Sequence, residues 1–457
     1  MLQGRNLPKY QQDNERRIYA RKCVDYYNYD QKNWLHEKIN NTITKSFTRK
    51  EYRKRARCED ITRQIIDDIS LLFQNPVNVN LENIEGKENE DLQNILSDNL
   101  FNATMQQVNR FVNLLGDVAV VPAIREEKVC LDIITSDNIF ILPDMNDPVK
   151  AKGIAYQVGR ETKGWNVFKE RTDIYHMWTK EGKFELYVSE SGIVKKEIKL
   201  ENVPSYDNEI PVVVFRNYKP VNQFFKPGDN PLVEANESIN YSMTRLDLMR
   251  DYNTPLRVSQ GLDKQEDLYS GVTVAINHSE TEMGKFGDTK FINPNAPIQE
   301  ETKTINYNKT NIAISNSLPK NSVTGETFTS GFHLEVSQQD KLNKNRQERP
   351  FYEQKIKKLI RYIMMTANNL SDYNFNTEQD VIVDFGEITF YKNKMDTAKL
   401  RTMQINNKTK SRIDFIMEDY QVDREQAIEI ANRIDSETNK YSPKADFENR
   451  LNQAKEK

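Results

Sequence analysis

The apolar residues of this chain change their period partway along its length, and that change limits the possible folds more than any single motif does. Between residues 11 and 115 they recur every three or four positions. Ile18, Val24 and Tyr27 begin one face, Ile61, Ile65, Ile69 and Leu72 another, and Leu92, Leu96, Leu100, Val108, Phe111 and Leu115 a third. That spacing lines one side of a helix, so a helical region with buried stripes is predicted. From about 117 to 218 the period falls toward two. Val118–Val121, Val129–Ile134, Ile154–Val158, Asp173–Trp178, Phe184–Val188 and Ile210–Phe215 are short β-branched and aromatic runs separated by Gly, Asp, Asn and Pro. An antiparallel β region is predicted there, with His176 a paired strand residue rather than a metal ligand. The fold class is α+β.

Helical spacing returns after Asn230. Asn230 can cap, Pro231 suits the first helical position, and Leu232, Ala235, Ile239, Met243, Leu246 and Met249 recur at three or four. Proline disfavours helical geometry in the residue before it, so the helix must stop before Thr254-Pro255. Residues 256–298 read as a compact α/β insert with strand-like Val272–Ile276 and Lys290–Ile292. Residues 299–333 are rich in Asn, Ser and Thr, which compete with helical hydrogen bonding, so a helix here needs tertiary support. A loop is predicted over Pro319–Gly331. Helix is predicted again over about 337–370, kinked or broken at Pro350, followed by a strand pair, Val381–Phe385 with Glu387–Phe390. Ser411 and Asp423 are candidate caps of the terminal helices, and the last dozen residues read as frayed.

Composition excludes more than it selects. At 457 residues with 37% hydrophobic content the chain can bury a large core. Its formal charge of −3 supplies no global basic field, so any nucleic-acid contact must be local. Cys23, Cys58 and Cys130 lie far apart without metal-ligand spacing, which fits core filler in a reducing compartment. The N-terminus lacks a signal-peptide apolar region and no apolar run approaches the roughly 18 residues a bilayer requires, so a soluble chain without export or membrane contact is expected. Phosphate-loop, nucleophile-elbow and zinc-protease motifs are missing, and His36, His176, His278 and His333 share no ligand spacing. No catalytic site, metal or cofactor is expected. Acidic pairs such as Asp67-Asp68 and Glu300-Glu301 point to different sectors of a helix and read as solvated charge. The densest basic run, Lys45–Arg57, could grip phosphates, face solvent or contact a neighbouring subunit.

Several landmarks, in order, resemble the portal proteins of tailed bacteriophages, the siphophage-type branch in particular. They are the Tyr26–Asp30 helix end, Ile69–Val77 running into an extended Asn-Pro-Val, Asp132–Asp144, the helix Asn230–Asn253, the Ser330–Val336 turn before a long helix, Ile382–Phe390, and the helical Thr397–Glu437. Pro350 departs from an uninterrupted long helix. The resemblance spans nearly the whole chain and rests on order and spacing, because no one motif is specific.

That resemblance implies a portal fold and a dodecameric ring at one capsid vertex. Its regions would be an N-terminal wing (1–229), a stem helix (230–255), a clip (256–298), a second stem helix (299–317), a tunnel loop (318–333), a kinked wing helix with closing strands (334–393) and a helical crown (394–457). Double-stranded DNA would pass through without sequence specificity, driven by a separate terminase, with a head-completion adaptor, major capsid protein and scaffolding protein as further partners. Lys303, Lys309, Lys320, Asn321, Thr324, Glu326 and Thr327 would line the channel. Lys264, Glu266, Asp267, Glu280, Glu282 and Lys285 would form the docking surface of the clip, and Met243 and Leu246 would lie at the subunit interface. A conduit must not hold its polymer, since each added lysine contact strengthens binding through counterion release, and the Asn/Ser/Thr-rich 299–333 segment suits such a lining. Without the resemblance, an ordinary polar loop, a non-conducting tail or capsid scaffold and a metal-dependent nuclease stay open.

Overall fold

In the computed structural model, residues 11–440 are described apart from 84, 145, 164–169, 202, 227–228, 254–255, 261–273, 277–287, 293–296, 320–321, 324–330, 387–400, 408 and 421–422. The predicted change of period is a change of architecture. Six helices come first: α1 (Gln11–Tyr27), α2 (Lys32–Thr42), α3 (Ser46–Lys54), α4 (Ile61–Ile69), α5 (Lys87–Asp98) and α6 (Phe101–Leu115), with one strand, β1 (Val77–Leu81), among them. Strands follow: β2 (Val118–Arg125), β3 (Lys128–Thr135), β4 (Ile139–Pro143), β5 (Ala151–Lys163), β6 (Glu170–Thr179), β7 (Gly182–Ser189), β8 (Val194–Lys199) and β9 (Val213–Phe215). The fold is α+β.

β4 to β8 form a five-stranded antiparallel meander. Alternation sends Phe140, Ala155, Tyr175, Met177, Leu186 and Val188 to one face and Ile139, Ile154, Tyr156 and Trp178 to the other, where they join the main core. His176 sits opposite Glu185 across β6 and β7, 3.7 Å from its carboxylate, and burial lowers its pKa. β2 pairs with β3 and β9, the β2–β3 hairpin turning through Glu126 and Glu127, both at positive φ. Pro122 lies past the three β2 residues that pair with β9, where β2 has become an edge on that side.

The chain then runs through α7 (Pro231–Tyr252), β10 (Leu256–Gln260), β11 (Val274–Ile276), β12 (Asp288–Ile292), α8 (Ile298–Ser315), α9 (Gly331–Ala367) and β13 (Val381–Phe385). Two expectations need correction here, the break allowed at Pro350 and the loop reaching Gly331. α9 continues unbroken through Pro350, and it starts at Gly331, so the expected tunnel loop is shorter at its C-terminal end. β13 pairs with β1, Val79 opposite Val383, some 300 residues apart; the expected partner, 387–390, lies outside the described residues. The strands β4, β8 and β10 were not separated by the sequence pattern, because each is short or flanked by charge.

Two cores hold this part of the chain. The larger joins α5, α6, the β2 sheet and the C-terminal half of α9. The second joins α1 and α4 to α7 and α8 through Tyr26, Ile65, Leu232, Ile239, Leu246, Ile305 and Ile312. Cys23 lies in the second core, and burial pushes its thiol up to about 12, as befits filler. A separate compact unit contains α10 (Arg412–Tyr420) and α11 (Arg424–Lys440) around Ile416, Ala427 and Ala431. The Ser411 hydroxyl accepts from the Asp414 amide and Asp423 accepts from the Gln426 amide at 2.8 Å, the caps predicted for these helices. The frayed end, 441–457, lies outside the described residues. Among the described residues no helix is long and apolar enough to cross a membrane.

Candidate functional site

Two helices of the region expected to form the stem, α7 and α8, lie side by side. α7 begins as the sequence requires, with Asn230 accepting from the Leu232 amide at 3.0 Å and Pro231 at its first position, and it ends at Tyr252 before Thr254-Pro255. α8 packs against it in the opposite direction. Arg245, near the C-terminus of α7, pairs with Glu301 near the start of α8, while Leu232 and Ala235 share a cleft of about 440 Å3 with Ile312, Ser315 and Asn316. The antiparallel pair is joined through β10, β11 and β12, which form one small sheet with β10 central, parallel to β11 and antiparallel to β12. The site is thus a helical hairpin with a mixed sheet between its arms.

α8 forms although its Asn and Thr content disfavours it. Ile305, Ile312 and Ala313 are buried in the second core, and Thr302, Thr304 and Ser315 return their hydroxyls to carbonyls one turn back. This is the tertiary support its composition demanded. Lys303 and Lys309 are six residues apart, which sets them about 120° apart around the helix. Lys303 is exposed and has no ion pair among the described residues. Lys309 turns inward, 15% exposed, and pairs with Glu59. Around Lys303 the outward side of α8 carries Glu300, Asn306, Tyr307 and Ile314, while Asn311 and Ser315 line the cleft with α7. Lys320, Asn321, Thr324, Glu326 and Thr327 lie outside the described residues, as do Lys264, Glu266, Asp267, Glu280, Glu282 and Lys285.

Met243 and Leu246, expected at a subunit interface, pack within their own chain. Leu246 is 4% exposed and Met243 is half-buried, both against the same chain's second core, so the apolar stripe is already covered. What the sequence reading missed is a second stripe on α7. Asn236, Asn240 and Thr244 recur every four residues and are fully buried. Asn236 donates to the Thr62 hydroxyl at 2.8 Å, Asn240 donates to Gln31 at 3.1 Å and accepts from the Glu59 amide, and Thr244 accepts from the Arg57 amide. Their spacing was the available signal. Lys22 reinforces this side by pairing with Glu234 and Glu237, which outweigh the burial that disfavours its charge and raise its pKa.

The basic run is largely helix α3, anchored to α7 by one face. Arg55 pairs with Glu51 and Asp251, Arg57 with Asp247, and Tyr52 stacks on Tyr241 at 6.0 Å. Of the acidic pairs, Asp67 pairs with Arg110 and accepts from Tyr27, Asp68 pairs with Lys341, and Glu301 pairs with Arg245.

No protein-family model matches the chain, and no curated protein matches it. Among solved structures the chain is similar to one in the virion of a native gene transfer agent (GTA) particle, with a TM-score of 0.40 and 11% identity, over 78% of this chain and 88% of that one. It is also similar to a chain in the neck of an empty GTA particle, with a TM-score of 0.40 and 12% identity, over 76% of this chain and 85% of that one.

Proposed function

We propose that this chain is a portal subunit: a ring-forming, non-catalytic component of a phage-like particle, through which double-stranded DNA passes and on which terminase and a head-completion adaptor dock. The observation that carries the reading is the antiparallel α7–α8 hairpin interrupted by the β10–β12 sheet. It has the form of the stem and clip that the order of sequence landmarks implies, with the α+β wing elements before it and a separate helical unit after it. Among the described residues α8 offers passing phosphates one exposed cation, Lys303, with Glu300, Asn306, Tyr307 and Ile314 around it, a surface that does not accumulate positive charge. The ring is a dodecamer in this reading, sited in the virion at the portal vertex, and the tunnel loop follows α8.

Class averages of the purified protein test the ring directly: radial symmetry with a central bore is expected, and compact particles without a bore would defeat the reading in favour of a non-conducting scaffold. Lining is tested separately. Asn321→Lys with Thr324→Lys should slow DNA packaging or shift it to higher salt while rings still form. Wild-type packaging across salt concentrations would remove these residues from the channel.

A further inference from the structure

The outer face of α3 has no assigned part in the ring reading. α3 turns Tyr52 and Arg55 toward α7, and at 100° per residue the opposite side carries Phe47, Lys50 and Lys54, with Arg53 beside them and Lys45 at the N-cap. Phe47 is 74% exposed, the most exposed large apolar side chain among the described residues. Lys45, Lys50 and Arg53 are exposed and have no carboxylate partner among the described residues, while Lys54 meets Glu51 at its solvent-facing edge. The helix buries none of its own residues fully, yet it is fixed by ion pairs and a ring stack on its inner face. α3, tied to α7 through Arg55–Asp251 and Tyr52–Tyr241, therefore presents a phenyl ring set among cations.

We infer that this face docks an acidic protein segment carrying an apolar side chain between carboxylates. Charge complementarity selects the acidic partner. Among the described residues the seven cations of Lys45–Arg57 form ion pairs with Glu51, Asp247 and Asp251 alone, leaving cations in excess on the outer side. Phe47 selects protein over duplex DNA. A phenyl ring in the middle of a phosphate-binding face gains nothing from a duplex whose bases are stacked away, whereas it supplies the apolar anchor that a protein interface needs at its centre. This inference does not depend on ring formation.

The test uses the full-length protein and a fluorescein-labelled 18-residue helical peptide of Glu and Leu with Leu at i, i+3, i+4 and i+7 spacing, titrated by fluorescence anisotropy. Saturable binding is expected, weakened about tenfold by Phe47→Ser and by Lys50→Glu with Lys54→Glu, and reduced by added salt. All substituted positions are solvent-exposed, and circular dichroism confirms that each variant keeps its fold. Peptide binding that ignores Phe47→Ser overturns the proposal. So does a labelled 20-base-pair duplex that displaces the peptide and binds independently of Phe47, since the face would then be a phosphate surface. A wild-type oligomer dissolved by Phe47→Ser in light scattering would instead assign the face to a second copy of the chain, and would also overturn it.

Discussion

The two halves of α9 are one continuous helix held in two different ways. C-terminal to Pro350, Tyr352, Ile356, Leu359, Ile360, Ile363 and Met364 are fully buried in the main core. N-terminal to it, the residues that face inward from 341 to 349 are Lys341, Asn345 and Glu348. One half is fixed by non-directional apolar burial, which needs only volume and shape. The other depends on named partners. Lys341 meets Asp68 at 2.6 Å, Arg349 reaches the Gly386 carbonyl at 2.9 Å, and Glu348, 5% exposed, sits among Lys344, Asn109 and Asn217. The comparison teaches that helix continuity says little about how firmly each part is held, because polar contacts in a low-dielectric site are conditional on geometry and protonation in a way that apolar packing is not.

Removing core volume from the C-terminal half should have the largest effect. Leu359→Ala is expected to cost about 2–5 kcal/mol in urea unfolding, as transfer and cavity terms add at a fully buried position. A loss under 1 kcal/mol would mean that this half is no better packed than the other.

The boundary comes next. Pro350 is exposed and leaves the Arg346 carbonyl without its helical donor, so Pro350→Ala should raise stability by about 1–2 kcal/mol, part of the ~3 kcal/mol that a mid-helix proline costs. An unchanged urea midpoint would show that the helix has adapted its path to the proline and gains nothing from straightening.

Glu348 sharpens the comparison through pH. Burial raises its pKa above the usual 4.5, with Lys344, Asn109 and Asn217 opposing the rise only in part. A carboxyl whose pKa rises on folding binds its proton more tightly in the fold, so ionising it costs stability. Wild-type stability should therefore fall as pH climbs from about 4.5 through the raised value, and Glu348→Gln should remove that component. The neighbouring cations are Lys344, its pKa lowered by burial, and Lys226 beyond it, while the buried Tyr352 phenol stays protonated and neutral. The difference between wild type and Glu348→Gln at pH 4.5, 6 and 8 isolates the one carboxyl, and a pH-independent difference would contradict the assignment.

The smallest effect belongs to the ion pair. Lys341→Ala should cost about 0.5–1 kcal/mol, because Asp68 is 40% exposed and water can take over its solvation. A loss as large as that of Leu359→Ala would erase the contrast between the halves.

Much of the local structure was legible before any coordinates. The period of the apolar residues separated helical from strand regions, and the candidate caps Asn230, Ser411 and Asp423 each accept from an amide of the helix that follows. These signals are local, since a cap or an amphipathic stripe is satisfied within a few residues of its own chain. Of the candidate site, the sequence marked the α7–α8 hairpin and its polar α8 face. It did not reveal that Lys309 turns to Glu59, that Leu246 is covered by its own chain, or that Asn236, Asn240 and Thr244 bind α2, α4 and the segment between α3 and α4. Nor did it pair β1 with β13, or decide whether the helix breaks at Pro350. Those outcomes depend on which distant segments arrive beside a residue. A buried amide or a lone strand is equally compatible with many partners until the tertiary fold supplies one, and a proline is tolerated inside a helix when packing on the following turns outweighs its missing hydrogen bond.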